Sequence, residues 1–209
     1  NEGAIECNGD LYTRFIEGAK VIVNGSCFAE ESIMNSHIQV KKNLICVGRR
    51  ADIIGGHSIV GGSIRCKKIG SSFGVKTELL VGIDPEKIRI IEGLQKNIDA
   101  KKEMIGRLNH SLSETEKNIK SSGDSEIEID KKNKMLVLLY RFTDELSELE
   151  REYHESKNML QAENNRFVIV ENVIYSGVTI RFGVEEYNVG AIDVSKIILK
   201  YNNGKIIES

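Results

Sequence analysis

The chain has 209 residues, which is enough to bury a substantial core in one large domain or two small ones. Only 6% of the residues are aromatic, with no Trp and a single Pro, so stacked aliphatic strands and coiled coils fit better than the ring-rich core of a sandwich or an enzyme. The net charge is −2 and no apolar run approaches the roughly 20 residues of a membrane span, so membrane insertion is not expected.

The first 83 residues contain short segments in which apolar and polar residues alternate, each bounded by Gly, Ser or Asn, a pattern typical of strands and turns. The segments are residues 5–7, 21–23, 38–40, 64–66 and 79–81. The steps from Cys7 to Val23 to Val40 are 16 and 17 residues, the step to Cys66 is longer, and the step to Val81 is 15. Short strands at nearly constant spacing predict a β-solenoid, in which each turn buries its apolar face on its neighbours.

The cysteines also follow the predicted repeat. They stand at positions 7, 27, 46 and 66, with spacings of 20, 19 and 20 residues, and without a CxxC pair or a His pair at ligand spacing. A metal site is therefore not expected. We expect reduced thiols that serve as small apolar side chains, which suits the cytoplasm.

From residue 84 the sequence takes the period of a helix. Asp84 is suited to cap a helix with Pro85 in its first turn, where a missing N–H costs nothing. Apolar residues then step by three and four and are interrupted only at Lys101 and Thr115. They are Ile91, Leu94, Ile98, Ile105, Leu108, Leu112 and Ile119.

A second helical series follows a stop signal at residues 121–123 and a capping box from Ser125 to Glu128. Its apolar residues are Met135, Leu139, Phe142, Leu146, Leu149, Tyr153, Leu160 and Phe167. Heptad stepping over several turns favours a coiled-coil seam. We therefore predict a long antiparallel coiled-coil hairpin over residues 84–166.

Alternation at period two returns in residues 167–209, which predicts returning solenoid strands. The turn residues Asn202, Asn203 and Gly204 separate two apolar runs, which predicts a C-terminal β-hairpin. We expect this hairpin to cap the open end of the solenoid, where backbone groups would otherwise be unpaired. The predicted organisation is thus residues 1–83 as solenoid, 84–166 as coiled coil and 167–209 as returning strands with the hairpin cap.

Several stretches of the chain resemble the flagellar assembly protein A family. They are IGGHSIVGGSIRC at 54–66, IGS at 69–71, GVKTE at 74–78, VGIDP at 81–85 and VIYSGVTIRFG at 173–183. In that family a run of the form GG…GG…IG…T…VG-D-P ends one half of the solenoid, a charged coiled coil follows, and a returning strand comes next. This sequence departs from the pattern at Ser176, where the family often has Pro, and at Cys66, where Ala is common.

The resemblance implies a mostly-β fold with an α insertion: a right-handed β-helix interrupted by the coiled-coil hairpin, in a bacterial cytoplasmic protein. It also implies an N-terminal domain that this sequence lacks, and the first residue, Asn1, fits a piece of a longer protein. The family has no agreed reaction, so the resemblance informs the fold more than the function.

The enzymatic alternative is a hexapeptide-type acyltransferase. Residues 54–63 look like one and a half hexapeptide repeats, and His57 would then be the base that deprotonates the acceptor. Outside residues 54–64 no repeat of six occurs, and a glycine-flanked His in a solenoid is usually a turn residue. The glycine-rich run also lacks the Lys-Ser/Thr of a phosphate-binding loop. No catalytic constellation and no cofactor are expected.

Charge is distributed unevenly along the predicted solenoid. Residues 1–36 hold six acids and two bases, whereas residues 37–77 hold eight bases against Asp52 alone. Because turns stack, these bases can align into a positive stripe for an acidic protein or for the chain's own acids. The alternative is an ordinary solvated face. Nucleic acid is not expected, because stacking aromatics are scarce. The candidate residues are Lys41, Lys42, Arg49, Arg50, Arg65, Lys67 and Lys68.

The predicted hairpin also carries apolar residues outside its seam. The candidates for contact with a second copy, a partner or the solenoid wall are Ile88, Met104, Leu136, Leu138 and Met159, with Ile90 beside them. We therefore predict a structural or interaction module that self-associates or binds another protein, with no small-molecule substrate identified. A regulatory module coupled to a missing sensing domain is a further alternative.

Overall fold

The computed structural model describes residues 3–122 and 126–209. The predicted helix stop at Gly123 and the predicted cap Ser125 lie outside the described residues. The strands are β1 (Gly3–Cys7), β2 (Leu11–Glu17), β3 (Ala19–Val23), β4 (Cys27–Val40), β5 (Leu44–Cys46), β6 (Asp52–Val60), β7 (Ile64–Ile69), β8 (Thr77–Val81), β9 (Arg166–Ile174), β10 (Val178–Phe182), β11 (Glu185–Asn188), β12 (Val194–Asn202) and β13 (Lys205–Glu208). The helices α1 (Pro85–Ser122) and α2 (Glu126–Asn158) lie between β8 and β9.

The strands form three faces of a β-solenoid, each a stack of parallel segments. The first face stacks residues 3–7, 19–23, 37–40, 56–60, 77–81 and 178–181. The second face stacks residues 11–13, 27–29, 44–46, 64–66 and 168–170. The third face stacks residues 15–17, 32–34, 52–54, 68–69 and 173–174. The predicted mostly-β solenoid with two helices inserted is confirmed. The right-handed coiling stays a prediction.

The predicted alignment of the strands is partly right. Cys7 pairs with Val23 and Val23 pairs with Val40, as the 16- and 17-residue steps indicate. The next partner of Val40 is Val60, and Cys66 lies on the second face opposite Val170. The prediction that places residues 64–66 in the first column is therefore wrong, and it omits the strand at 56–60.

The core consists of aligned inward-facing side chains. On the first face one such column runs through Val21, Ile38, Ser58, Leu79 and Ile180, all of which are buried. Each turn thus covers the apolar side chains of the turn before it, which is where most of the stabilisation of a solenoid arises.

A ladder of polar side chains fixes the register at the corner between the first and second faces. The side-chain oxygen of each residue accepts a hydrogen bond from a backbone N–H of the next turn. The bonds run from Ser26 to Asp10 (2.7 Å), from Asn43 to Ser26 (3.4 Å), from Ser63 to Asn43 (2.9 Å) and from Phe167 to Ser63 (3.2 Å). The last step spans both helices, so the strand after them joins the same ladder as the earlier turns.

The helices enter at this same corner. Earlier turns pass from the first face to the second through residues 24–26, 41–43 and 61–63, whereas here the passage takes residues 82–167 and includes both helices. The backbone N–H of Glu163 donates to the carbonyl oxygen of Gly82 at 2.9 Å, which holds the two ends of the insertion together. Asp84 caps α1 as predicted, since its Oδ1 accepts from the N–H of Glu86 at 3.0 Å.

Residues 89–159 form one compact unit, and residues 1–88 with 160–209 form another. Within the helical unit, interhelical ion pairs join Lys101 to Glu145 (2.6 Å), Lys102 to Glu150 (2.8 Å) and Glu116 to Lys132 (2.8 Å). The first half of α1 thus pairs with the second half of α2, so the helices run antiparallel. Because α2 ends at Asn158, Leu160 and Phe167 do not continue the seam as the stepping predicted.

Both polar residues that interrupt the predicted seam within α1 have partners. Lys101 pairs with Glu145 and also places its Nζ 4.6 Å from the ring centre of Phe142. Thr115 is buried and donates its hydroxyl to the carbonyl oxygen of Ser111 at 2.9 Å. The interruptions of the apolar pattern are therefore accommodated by specific polar contacts.

Antiparallel strands cover the C-terminal turn. β12 pairs with β9 and β13, and the β12–β13 turn has positive φ at Asn203 (48°) and Gly204 (78°), as a two-residue hairpin turn requires. The rings of Phe182 and Tyr201 stack at 5.6 Å beneath this hairpin. The last parallel strands are thus closed by antiparallel ones.

Candidate interaction surfaces

His57 lies on the outward side of the first face. It is in register with His37 on one neighbouring strand and with Glu78 on the other. The Nδ1 of His57 lies 3.4 Å from Oε2 of Glu78, and a hydrogen bond from Lys76 is the main cause that lowers the pKa of Glu78. The half-exposed imidazole therefore belongs to a row of charged and polar side chains, and its proposed role as a base stays a prediction.

The glycines beside His57 have a packing reason. Gly56 has φ of 78°, and a Cβ there would lie 2.2 Å from the carbonyl oxygen of Ser36. A Cβ at Gly61 would lie 2.3 Å from the carbonyl oxygen of Lys41, and one at Gly62 would lie 2.4 Å from Oδ1 of Asn43. The close approach of the preceding turn accounts for the hexapeptide-like glycine pairs without any reaction.

Four of the seven candidate bases of the predicted positive stripe have partners within the chain, and for three of them the partner is an acid. The pairs are Lys41 with Asp84 (3.9 Å) and Glu86 (3.6 Å), Arg65 with Glu171 (2.9 Å), and Lys68 with Asp52 (3.7 Å), while Lys67 donates to the carbonyl oxygen of Gly48 (2.5 Å). Asp52 nevertheless has a raised pKa, because burial outweighs the nearby cations. These bases hold neighbouring turns together.

Three cations of the predicted stripe stay exposed. Lys42, Arg49 and Arg50 have no ion pair within 4 Å among the described residues. Lys42 lies just before β5 and the two arginines lie just after it, so they border the same strand of the second face from its two ends. Arg50 also helps to stabilise the ionised form of Asp52.

An apolar row crosses the outward side of the second face, and we refer to it as the second-face row. Register places its six members on consecutive strands: Tyr12, Phe28, Ile45, Arg65, Ile169 and Ile198. The rings of Tyr12 and Phe28 are stacked at 4.6 Å with 3° between their planes. Grooves lie along the row, one lined by Tyr12, Phe28 and Val47, the other by Ile45, Phe167 and Ile169. Sequence reasoning missed this row.

The helical candidates differ in exposure. Ile88 is partly buried and packs against the solenoid core, which was one of the three contacts predicted for it. Met104 is 50% exposed, Leu138 42% and Met159 72%, whereas Leu136 is half-buried. No residue of α2 is fully buried, and further apolar side chains are exposed on it at Ile127, Val137 and Tyr140.

Two chemical findings bear on ligands. Within residues 3–122 and 126–209, no group of three His, Cys, Asp or Glu side chains is arranged to hold a metal ion. The cysteines are free thiols, and burial raises the pKa of Cys27 and of Cys46 to about 12.

No helix within the described ranges is long and apolar enough to span a membrane.

A family model for the Flagellar Assembly Protein A β-solenoid domain matches residues 1–206. The chain belongs to this family. The predicted membership is therefore confirmed, and the match covers the solenoid on both sides of the helices. No curated protein and no solved structure matches the chain significantly.

Proposed function

We propose that this member of the flagellar assembly protein A family is a non-catalytic interaction module of the bacterial cytoplasm. Its helices dock a protein partner or a second copy, and the solenoid supports them. The observation that carries the proposal is the composition of α2, which exposes large apolar side chains and buries none completely. Apolar side chains grouped on a soluble surface favour protein contacts.

The exposed apolar residues of α2 lie close together. Val137 is 68% exposed and Tyr140 is 72% exposed, and they stand three residues apart, so both lie on one side of the helix. The seam residues Leu139 and Phe142 are half-buried and fall on another side, as their heptad spacing requires. α2 therefore has one apolar side that packs toward α1 and a second, exposed apolar side that is available to a partner.

The way the helices are inserted supports an added role rather than a role in holding the solenoid together. The ladder at the first-to-second corner continues from Ser63 to Phe167, and Glu163 bonds to Gly82. The turns on both sides thus join directly. An insertion that the scaffold does not need for closure is suited to binding.

The family description concerns flagellar assembly, and we infer that this chain takes part in that process or in the organisation of the cell envelope. The bonded ends at Gly82 and Glu163 and the shared corner ladder favour a solenoid that folds without its insertion. A rigid support that carries a separate binding element would suit the assembly of several components.

The test begins with the solution mass of the chain, measured by sedimentation velocity over a range of concentrations. A variant that replaces only the helical unit, residues 89–159, by a short linker keeps the Gly82–Glu163 bond and should keep a folded solenoid but lose assembly. The substitutions Val137→Glu and Tyr140→Glu should also weaken assembly, whereas Ser147→Glu adds the same charge to an exposed polar position of α2 and should not.

If the chain sediments as a monomer throughout, docking of another protein is the remaining form of the proposal. A photo-crosslinking residue at position 137 should then give a discrete adduct in cells, and one at the exposed Val184 of the solenoid should not. Assembly that persists without the insertion, or the absence of an adduct in a monomeric chain, would refute the proposed role of the helices.

A further inference from the structure

We propose that the second-face row is the binding surface for an amphipathic helix of a partner protein whose polar borders are acidic. The inference rests on the proposed function, and it assigns a partner of stated chemistry to a surface of the solenoid rather than to the helices. It is carried by the register of the second face, by the ion pair that removes Arg65 from the row as a free charge, and by the unpaired cations beside β5.

The dimensions of the row fit one face of a helix. Neighbouring strands lie about 4.8 Å apart, so six consecutive strands span about 24 Å. A helix rises 1.5 Å per residue, so about 16 residues would cover that length. Beside Ile45 the row is bordered by the polar Asn43 on one side and by the exposed Val47 on the other, so it is one to two side chains wide. A single apolar stripe of a helix has this width.

Arg65 does not interrupt the apolar character of the row as a free charge would. Its Nε and Nη2 donate to Oε1 of Glu171 at 3.1 and 2.9 Å. The guanidinium is thereby held beside the row, and the methylene stem of Arg65 lies between Ile45 and Ile169 on the neighbouring strands. A helix laid on the row meets mainly hydrocarbon, with the paired guanidinium of Arg65 as the charged group within the row.

The charges beside the row select the partner. Lys42 precedes Ile45 and Arg49 follows it, and neither has an ion pair among the described residues. The cations Arg14 and Arg65 are instead matched by Glu31 and Glu171. Glu30, two residues after Phe28, also has no ion pair within the part of the chain that the structure describes, so the excess of positive charge is confined to the middle of the row, beside Ile45. There it favours acids on the borders of the bound helix.

The side chains of the row favour a protein over a nucleic acid. The rings of Tyr12 and Phe28 stack on each other, and the other apolar members are isoleucines, which offer bases no stacking platform. An apolar row between charged borders matches the way in which grooves bind amphipathic helices by residues at i, i+3, i+4 and i+7.

The experiment uses the full chain and two synthetic helical peptides of about 16 residues, which matches the length of the row. Both peptides carry one leucine stripe, and the borders are glutamate in one and lysine in the other. Binding is measured by fluorescence anisotropy of a labelled peptide. We expect the glutamate peptide to bind at least tenfold more tightly than the lysine peptide.

Variants of the chain make the test specific. Ile45→Glu and Ile198→Glu should each abolish binding of the glutamate peptide. Because Ile198 is 42% exposed, Ile198→Glu should fold normally, so its loss of binding cannot be attributed to misfolding. The double variant Lys42→Glu with Arg49→Glu should reverse the preference between the peptides. Phe73→Glu alters a side chain that is 93% exposed but lies off the second face, so binding should be unchanged.

Equal binding of the two peptides, or binding that survives Ile198→Glu, would overturn the inference. So would a loss of self-association in Ile198→Glu without any peptide binding, because a second copy would then cover the row. These outcomes are separable from failure of the proposed function, which is judged by substitutions at Val137 and Tyr140 on α2.

Discussion

The hydroxyl oxygen of Ser63 accepts a hydrogen bond of 3.2 Å from the backbone N–H of Phe167, 104 residues further along the chain. The same corner carries the equivalent bond from Ser63 N–H to Asn43. Ser63 therefore joins the turn before the helices to the turn after them. The polar ladder is therefore continuous across the insertion, although both helices lie between the two turns in the sequence.

Replacing Ser63 by Ala should lower the free energy of unfolding of the solenoid by about 1 kcal/mol, because the N–H of Phe167 loses its acceptor. The readout is the urea concentration at which the buried cysteines become reactive. Ser72→Ala removes a hydroxyl from an exposed loop and should leave that midpoint unchanged. Equal midpoints for both variants would show that the ladder bond contributes nothing.

Gly48 and Gly106 should respond oppositely to the same substitution. A Cβ at Gly48 would lie 1.8 Å from the carbonyl oxygen of Glu30, so Gly48→Ala forces the backbone of neighbouring turns apart and should destabilise the solenoid by about 1–3 kcal/mol. Gly106 lies within α1, where an added Cβ would meet no side chain or other element within 4 Å, and Ala there should stabilise the helix by about 1 kcal/mol.

The two effects are measured separately, by the reactivity of solenoid cysteines for Gly48→Ala and by helical circular dichroism for Gly106→Ala. If Gly48→Ala leaves the free energy of unfolding of the solenoid unchanged, the close approach of the second and third turns at this corner is contradicted.

The solenoid could be predicted because the first turns are regular. Cys7, Val23 and Val40 pair as their spacing indicates. The assignment of Cys66 was wrong because the corner between the second and third faces varies in length. It uses residues 30–31 in one turn, 47–51 in the next and residue 67 in the one after. Residue spacing alone cannot assign the pairing partners of successive strands when the corners between them differ in length.

The second-face row could not be derived from alternation, because its members align only after the register is known. One signal was present: residues 44–47 and 167–170 are apolar at every position. Strands without alternation are typical of segments covered on both sides. The acidic partners of Lys41 and Arg65 could not be assigned from the sequence for the same reason, since they come from later turns.

The thiols should divide into one reactive and three protected groups. Cys27, Cys46 and Cys66 are buried, and burial raises the pKa of Cys27 and of Cys46 to about 12 and that of Cys66 well above its usual value. Because the thiolate is the reactive species, these three should resist a thiol reagent at about pH 8 until the chain unfolds. Cys7 is only half-buried and should react first.

Mass spectrometry of the labelled chain identifies which thiol has reacted, and Cys7→Ser should remove the rapid phase. Rapid labelling of Cys46 in the folded chain would contradict a closed second face.

Asp52 and Glu78 should give the stability of the solenoid opposite dependences on pH. Burial raises the pKa of Asp52 above its ordinary value of 3.8, so the folded state holds this proton more tightly than the unfolded state does. The free energy of unfolding therefore falls as pH rises through the window between 3.8 and the raised value. Asp52→Asn should be more stable than the parent at neutral pH, with no difference at acidic pH.

A hydrogen bond from Lys76 is the main cause that lowers the pKa of Glu78 below its ordinary value of 4.5. Its contribution is present above 4.5 and is lost as pH falls through the depressed value. Glu78→Gln should thus be less stable than the parent at neutral pH and equal to it in acid. Urea unfolding of the parent and both variants between about pH 3 and 7 measures the signs, and the same sign for both variants would refute the opposite roles assigned to burial and to the Lys76 bond.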